Sequence, residues 1–134
     1  MSDTKNKTIT QAFQAYAATD ERGDLYCPNC GEPYLHHRVV NVYSRHEDGP
    51  SQLTSVTADG AVTVQPNAAC NPSARRDGVA VKFFCEQCGG GFALELAQHK
   101  GMSQLLWREL PKEEGEQLYN EWAGVDMHDE ELRR

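Results

Sequence analysis

The chain has 134 residues, a net charge of −7, 39% hydrophobic residues and 8% aromatics, with a mean hydropathy of −0.67. That length fits one domain with a short arm at each end and excludes two ordinary globular domains. No apolar run approaches the about 20 residues that cross a bilayer, and the opening MSDTKNKTITQAF lacks a signal peptide's apolar stretch, so a soluble, cytoplasmic protein is expected. The apolar content is thin for a fold stabilised by burial alone, so a further stabilising contribution is expected. Five cysteines in a reducing compartment point to metal binding or chemistry and away from stable disulfides.

Taken in chain order, Thr8 to Thr19 places Ile9, Phe13 and Tyr16 on one face behind a capping Thr, which predicts a short amphipathic helix. From Leu35 to Ser44 the Val-rich run RVVNVYS predicts a strand. Gln52 to Thr57 and Ala61 to Gln65 predict two shorter strands joined through Ala58-Asp59-Gly60 as a hairpin. The stretch PNAACNPSARRDG holds few residues suited to regular structure and predicts a loop. Val79, Val81 and Phe83 alternate with Ala80, Lys82 and Phe84, and Phe92, Leu94 and Leu96 alternate with Ala93, Glu95 and Ala97, predicting two half-buried strands. QLLWREL predicts another strand, with Leu105 and Trp107 on one face. Pro111 then opens a C-terminal helix whose apolar face is Leu118, Trp122 and Val125, with a frayed, solvated end at HDEELRR. The expected organisation is an N-terminal helical arm (1–24), a central domain (25–110) and an acidic C-terminal helix and tail (111–134).

Charge follows the same division. Residues 1–26 carry a net −1, residues 27–108 are neutral and residues 109–134 carry −6. A neutral centre has no broad attraction for a phosphate backbone, which argues against nonspecific nucleic-acid binding and leaves local contacts open.

Cys27-Pro28-Asn29-Cys30-Gly31 and Cys85-Glu86-Gln87-Cys88-Gly89 are two copies of one device, separated by the 54 residues 31–84. Two residues between cysteines let a tight turn point both thiolates at one ion, and the glycine after them permits the conformation that closes the turn. Two such knuckles give a tetrahedral four-sulfur site for Cys27, Cys30, Cys85 and Cys88. Soft thiolates in closed geometry favour zinc, with a single iron as the alternative. Four cysteines leave no open position for water, so the metal is expected to be structural and not hydrolytic.

Knuckles flanked by antiparallel strands resemble the zinc-ribbon and rubredoxin-like group. The resemblance covers the cysteines and adjacent strands, about half the chain, and implies an antiparallel zinc-ribbon sheet; with the helices read at each end and the long insertion between the knuckles, the expected fold is mainly β with short terminal helices (α+β). Rubredoxin-like chains carry electrons on iron, but the 54-residue insertion departs from their compact form. More narrowly, CPNCGEPYLHH, NPSARRDG, VKFFCEQCG and AQHKG followed by Trp107 are similar to uncharacterised small zinc-ribbon proteins of bacterial and bacteriophage genomes, which imply no established activity.

Outside the cysteine pairs, Arg75 and Arg76 on a turn-rich loop could grip a partner's carboxylates or phosphates, or could brace the loop internally; with Lys100 on a second basic tip they are the expected partner-binding residues. Cys70 has no vacancy in a four-sulfur site, and His36 and His37 should point to opposite faces of their strand. No phosphate loop, GxSxG or HExxH is present, so an enzyme is not the leading expectation. The expected function is a noncatalytic binding module that engages a protein partner, a host factor if the gene is phage-borne. The alternatives are a nucleic-acid-binding zinc ribbon and an iron electron carrier. Both terminal arms are expected to pack on their own sheet as a monomer, with a homodimer as the alternative.

Overall fold

Six strands and one helix organise residues 23–132, the part of the chain that the computed structural model describes; side chains are described to Gly124. The strands are β1 (Leu35–Ser44), β2 (Gln52–Thr57), β3 (Val62–Gln65), β4 (Gly78–Cys85), β5 (Gly91–His99) and β6 (Met102–Glu109), followed by α1 (Lys112–Leu132). They form one sheet in the order β3-β2-β1-β4-β5-β6, with every neighbouring pair antiparallel. The mainly β class with a C-terminal helix is therefore as expected. The helix predicted at Thr8 to Thr19 lies outside the described residues. The α1 backbone continues to Leu132, through most of the segment expected to fray. None of the described helices is long and apolar enough to cross a membrane.

The predicted hairpin between β2 and β3 is present. Gly60 takes φ 90°, and Gly60 N–H and Thr57 N–H donate to Thr57 O and Ala61 O at 2.9 and 3.0 Å. The segment predicted as a loop, residues 66–77, carries the chain from the β3 edge back to β4 beside β1.

Period-two alternation gives the sheet two faces, and they are covered unequally. One carries Val39, Asn41 and Tyr43 of β1, Ala80 and Phe84 of β4, and Ala93 and Glu95 of β5. Its end nearest the cysteine pairs lies under α1, where Phe84, Ala93, Leu110 and Leu118 form the core with Val39, Tyr119 and Trp122 packed against them. Phe84 is fully buried, stacked by His36 at a centroid distance of 5.0 Å and met by Tyr119 and Trp122 at 5.5 and 5.1 Å. At the other end, loop 66–77 packs over Gly78, where a Cβ would meet Asn71 and Pro72, and Asn41 and Tyr43 are buried.

The opposite face carries the larger apolar set: Val62 and Val64 of β3, Val56, Val40 and Val42, Val79, Val81 and Phe83, Leu94 and Leu96, and Leu105 and Trp107. No described helix packs over it. The alternation in β5 is thus real, but the side that sequence favours for the core is the open one: Leu96 is 42% exposed while Glu95 is 5% exposed. The reason is steric. Gly91, Ala93, Ala80 and Gly78 give the covered face a low relief that lets a helix and a loop approach the backbone, which valine and leucine would prevent.

Gly91 of β5 and Gly115 of α1 meet backbone to backbone. A Cβ on Gly91 would lie 2.6 Å from Gly115 Cα, and one on Gly115 would lie 3.0 Å from Gly91 N. Glycine in a helix interior normally costs about 1 kcal/mol relative to alanine; here it sets the docking distance. Gly91→Ala should destabilise the fold by about 1–3 kcal/mol through overpacking against backbone that cannot rotate away. Chemical denaturation checks this, and a variant as stable as wild type would show that α1 does not seat here.

Candidate metal centre

Each CxxCG segment folds into the same turn. Gly31 N–H donates to Cys27 O at 3.0 Å and Gly89 N–H to Cys85 O at 2.9 Å; Cys27 N–H donates to Glu32 O and Cys85 N–H to Gly90 O, at 2.9 and 2.8 Å. Gly31 and Gly89 have φ of 80° and 78°, the left-handed region that glycine enters freely. In each turn the first cysteine is buried and the second exposed.

Sheet register closes the 54-residue gap between the turns. β1 leaves the first turn and pairs with β4, which ends in the second, so that Leu35 lies opposite Cys85 and Glu86 N–H donates to Tyr34 O at 2.9 Å. Cys27 and Cys85 are buried with Phe92, and Leu35 and Trp107 pack against them. All four Sγ atoms lie within 4.8 Å of one another. The spacings are 3.9 Å for Cys27–Cys88 and 3.6 Å for Cys30–Cys85, and all five cysteines are free thiols. A tetrahedron with metal–sulfur bonds of about 2.3 Å has sulfur–sulfur edges of about 3.8 Å. The donor set fits one tetrahedral metal ion.

Electrostatics at the site follow from its position at the sheet end. Burial pushes the Cys85 thiol up to about 12 and raises Cys27 as well. Burial also pushes Cys88 up, but hydrogen bonds from the Asn29 amide, the Gly90 backbone and the neighbouring thiols outweigh it and bring Cys88 down to about 7. Asn29 Nδ2 lies 3.5 Å from Cys88 Sγ. Backbone N–H groups of Asn29 and Cys30 approach Cys27 Sγ at 3.3 and 3.4 Å, and that of Cys88 approaches Cys85 Sγ at 3.5 Å. A cation at the centre would complement these donors by stabilising all four thiolates.

His36 and His37 point to opposite faces, as expected. His36 stacks on Phe84 and pairs through Nε2 with Glu86 Oε1 at 2.8 Å, bracing the second turn from outside the sulfur cluster. His37 meets the edge of Phe83 on the open face. Cys70 is exposed in the loop at φ 73° and stands apart from the four-sulfur group.

Residues 66–77 form a hydrogen-bonded structure and not a free tip. Arg45, which sequence does not single out, is its staple: Nη2, Nε and Nη1 donate to Ser73 O, Arg76 O and Gly49 O at 2.6, 3.1 and 3.2 Å. Ser73 Oγ donates to Gln98 O at 2.7 Å, and Asn71 Nδ2 donates to Ser51 Oγ and Arg76 O. Arg75 forks onto Asp48 and reaches Glu47, and Arg76 pairs with Glu47 at 3.3 Å. The Arg75 hydrogen bond holds the Asp48 carboxyl below the usual carboxylate range. Lys100 sits at the β5–β6 tip at φ 50°, at the same end of the sheet as this loop, where Gln98 N–H donates to Asp77 O.

This arrangement ranks two arginines in a way that sequence does not. Arg45→Ala removes a donor from three carbonyls, of which Arg76 O keeps its bond from Asn71, and should cost about 2–3 kcal/mol. Arg75→Ala removes exposed, solvent-screened pairs and should change stability little. Thermal denaturation of the two variants checks the order; equal losses would contradict it.

Glu95 was also unmarked by sequence. It is buried beside Ala80, its Oε2 accepts from Arg108 Nε at 3.0 Å, and its Oε1 and Asn41 Oδ1 lack a hydrogen-bond partner among the described residues. No family model matches the chain, and no curated protein or solved structure matches it.

Proposed function

We propose that this chain is a noncatalytic protein-binding module of zinc-ribbon type, in which one zinc ion held by Cys27, Cys30, Cys85 and Cys88 fixes the sheet and the open apolar face receives a protein. The observation that carries the reading is the pairing of a closed four-sulfur donor set with a sheet whose larger apolar face, beyond the first cysteine turn packed at its Phe92–Trp107 end, has no described helix over it. Zinc is favoured by soft thiolate donors in tetrahedral spacing, and its part is structural because four sulfurs leave no position for a reacting water. Contiguous exposed apolar surface on this scale marks interaction sites in soluble proteins.

Protein is favoured over nucleic acid by charge. Arg75 and Arg76 already face Glu47 and Asp48, and Lys82 faces Glu114. A phosphate would have to displace those carboxylates. Pulldown with the zinc-loaded chain should recover protein that resists nuclease and is lost with Leu96→Glu. Recovery of nucleic acid alone, with binding that falls steeply as salt rises, would overturn the protein reading.

A further inference from the structure

We propose that the open face is the interface between two copies of this chain, packed sheet on sheet about a twofold axis. The proposal rests on the reading of that face as a protein-binding surface and names its occupant. Val62 and Val64 on edge strand β3 are 60% and 61% exposed, and Val42, Val56 and Leu96 on three further strands are also exposed. The apolar surface therefore runs across the sheet from β3 to Trp107 on β6.

Size selects the occupant. Six strands at about 4.8 Å spacing put the edge strands about 24 Å apart, whereas a helix about 10–12 Å across covers roughly two strands. A single amphipathic helix of the kind that sequence predicts at Thr8 to Thr19 would leave most of the face in water. A second sheet of the same width matches it. With paired strands about 20 Å long, the projected face is on the order of 500 Å² per copy, so two copies bury on the order of 1,000 Å² before side-chain relief is added. Specific stable interfaces begin near about 1,200 Å² in total, which that relief supplies.

Charge selects the geometry. Apart from Glu109 at the metal end of β6, the paired positions of this face hold no Asp, Glu, Lys or Arg, so a twofold axis brings no like charges together at its centre. Residues 109–134 carry −6 of the chain's −7, and α1 packs on the other side of the sheet. Sheets about 10 Å apart with a helix layer outside each keep the two acidic helices about 30 Å apart, several times the Debye length of about 8 Å at physiological salt. Such face-to-face packing, with strand directions within about 30° of each other, is the usual sandwich arrangement.

Light scattering on the full zinc-loaded chain over a dilution series tests this. Wild type should show twice the 15.0 kDa chain mass. Leu96→Glu and Val42→Lys, both at exposed positions, should each raise the dissociation constant roughly a hundredfold by forcing a charge into the apolar interface. Metal content and circular dichroism should remain unchanged in at least one of them. A wild type that stays at 15.0 kDa at its solubility limit overturns the proposal. So does a dimer that survives both substitutions. An apolar dye separates this failure from failure of the protein-binding reading. A monomer whose dye binding is lost in Leu96→Glu has an open face that takes another protein; a monomer that binds no dye has a covered face, and both readings fall.

Discussion

Removing the metal should unfold the protein. Structural zinc contributes about 10–16 kcal/mol in small peptides, as much as or more than the whole stability of a typical domain. The core here is small, with Phe84, Ala93, Leu110 and Leu118 as its principal buried cluster. Chelation should therefore abolish the cooperative transition, and Cys85→Ser should do the same because a buried ligand is lost while its partners stay in place. Acid should act in the same direction. Cys27 and Cys85 hold their protons more tightly when buried, Cys85 up to about 12, so zinc binding must displace them and is weakened as pH falls. Circular dichroism with a proton-release titration checks this: zinc loading should release protons, and the folded signal should be lost together with the metal as pH falls. A chelated chain that melts cooperatively at the wild-type temperature would show that the metal is dispensable.

Phe84→Ala should be the most damaging single change in the apolar core, at about 3–5 kcal/mol. The ring is fully buried, and its loss empties a site walled by His36, Tyr119 and Trp122 that cannot all collapse inward. Phe83, the next residue, lies on the open face and is half-buried against His37 and Trp107. In a Leu96→Glu background, which keeps that face free of partners, Phe83→Ala should cost clearly less. Urea denaturation of the two variants compares the faces directly, and a larger loss at Phe83 would mean that the covered and open sides have been exchanged.

The parts of this molecule that sequence makes legible are those set by local chemistry. The duplicated CxxCG turns are local, since two spacer residues and a glycine at φ near 80° suffice to build each one. Strand positions from β1 to β6 follow from alternation and from turn residues such as Asp59 and Gly60. What is not legible is which face of the sheet is covered. Alternation assigns Leu96 and Glu95 to opposite sides, but the side that receives α1 is decided by Gly91 meeting Gly115, residues far apart in sequence whose significance is the absence of a side chain. Arg45 is unreadable for a similar reason: a lone arginine in a polar turn looks solvated until three carbonyls from two segments converge on it. Arg75 and Arg76 stand out as an adjacent pair, yet their partners Glu47 and Asp48 lie across the β1–β2 connection, where spacing gives no hint of them.

X-ray absorption at the metal edge, on protein purified without an affinity tag, tests the central claim most directly. One zinc per chain in a single shell of four sulfurs at about 2.3 Å is the expected result. A folded protein that carries no metal, or a shell containing nitrogen or oxygen in place of one of the sulfurs, would contradict it.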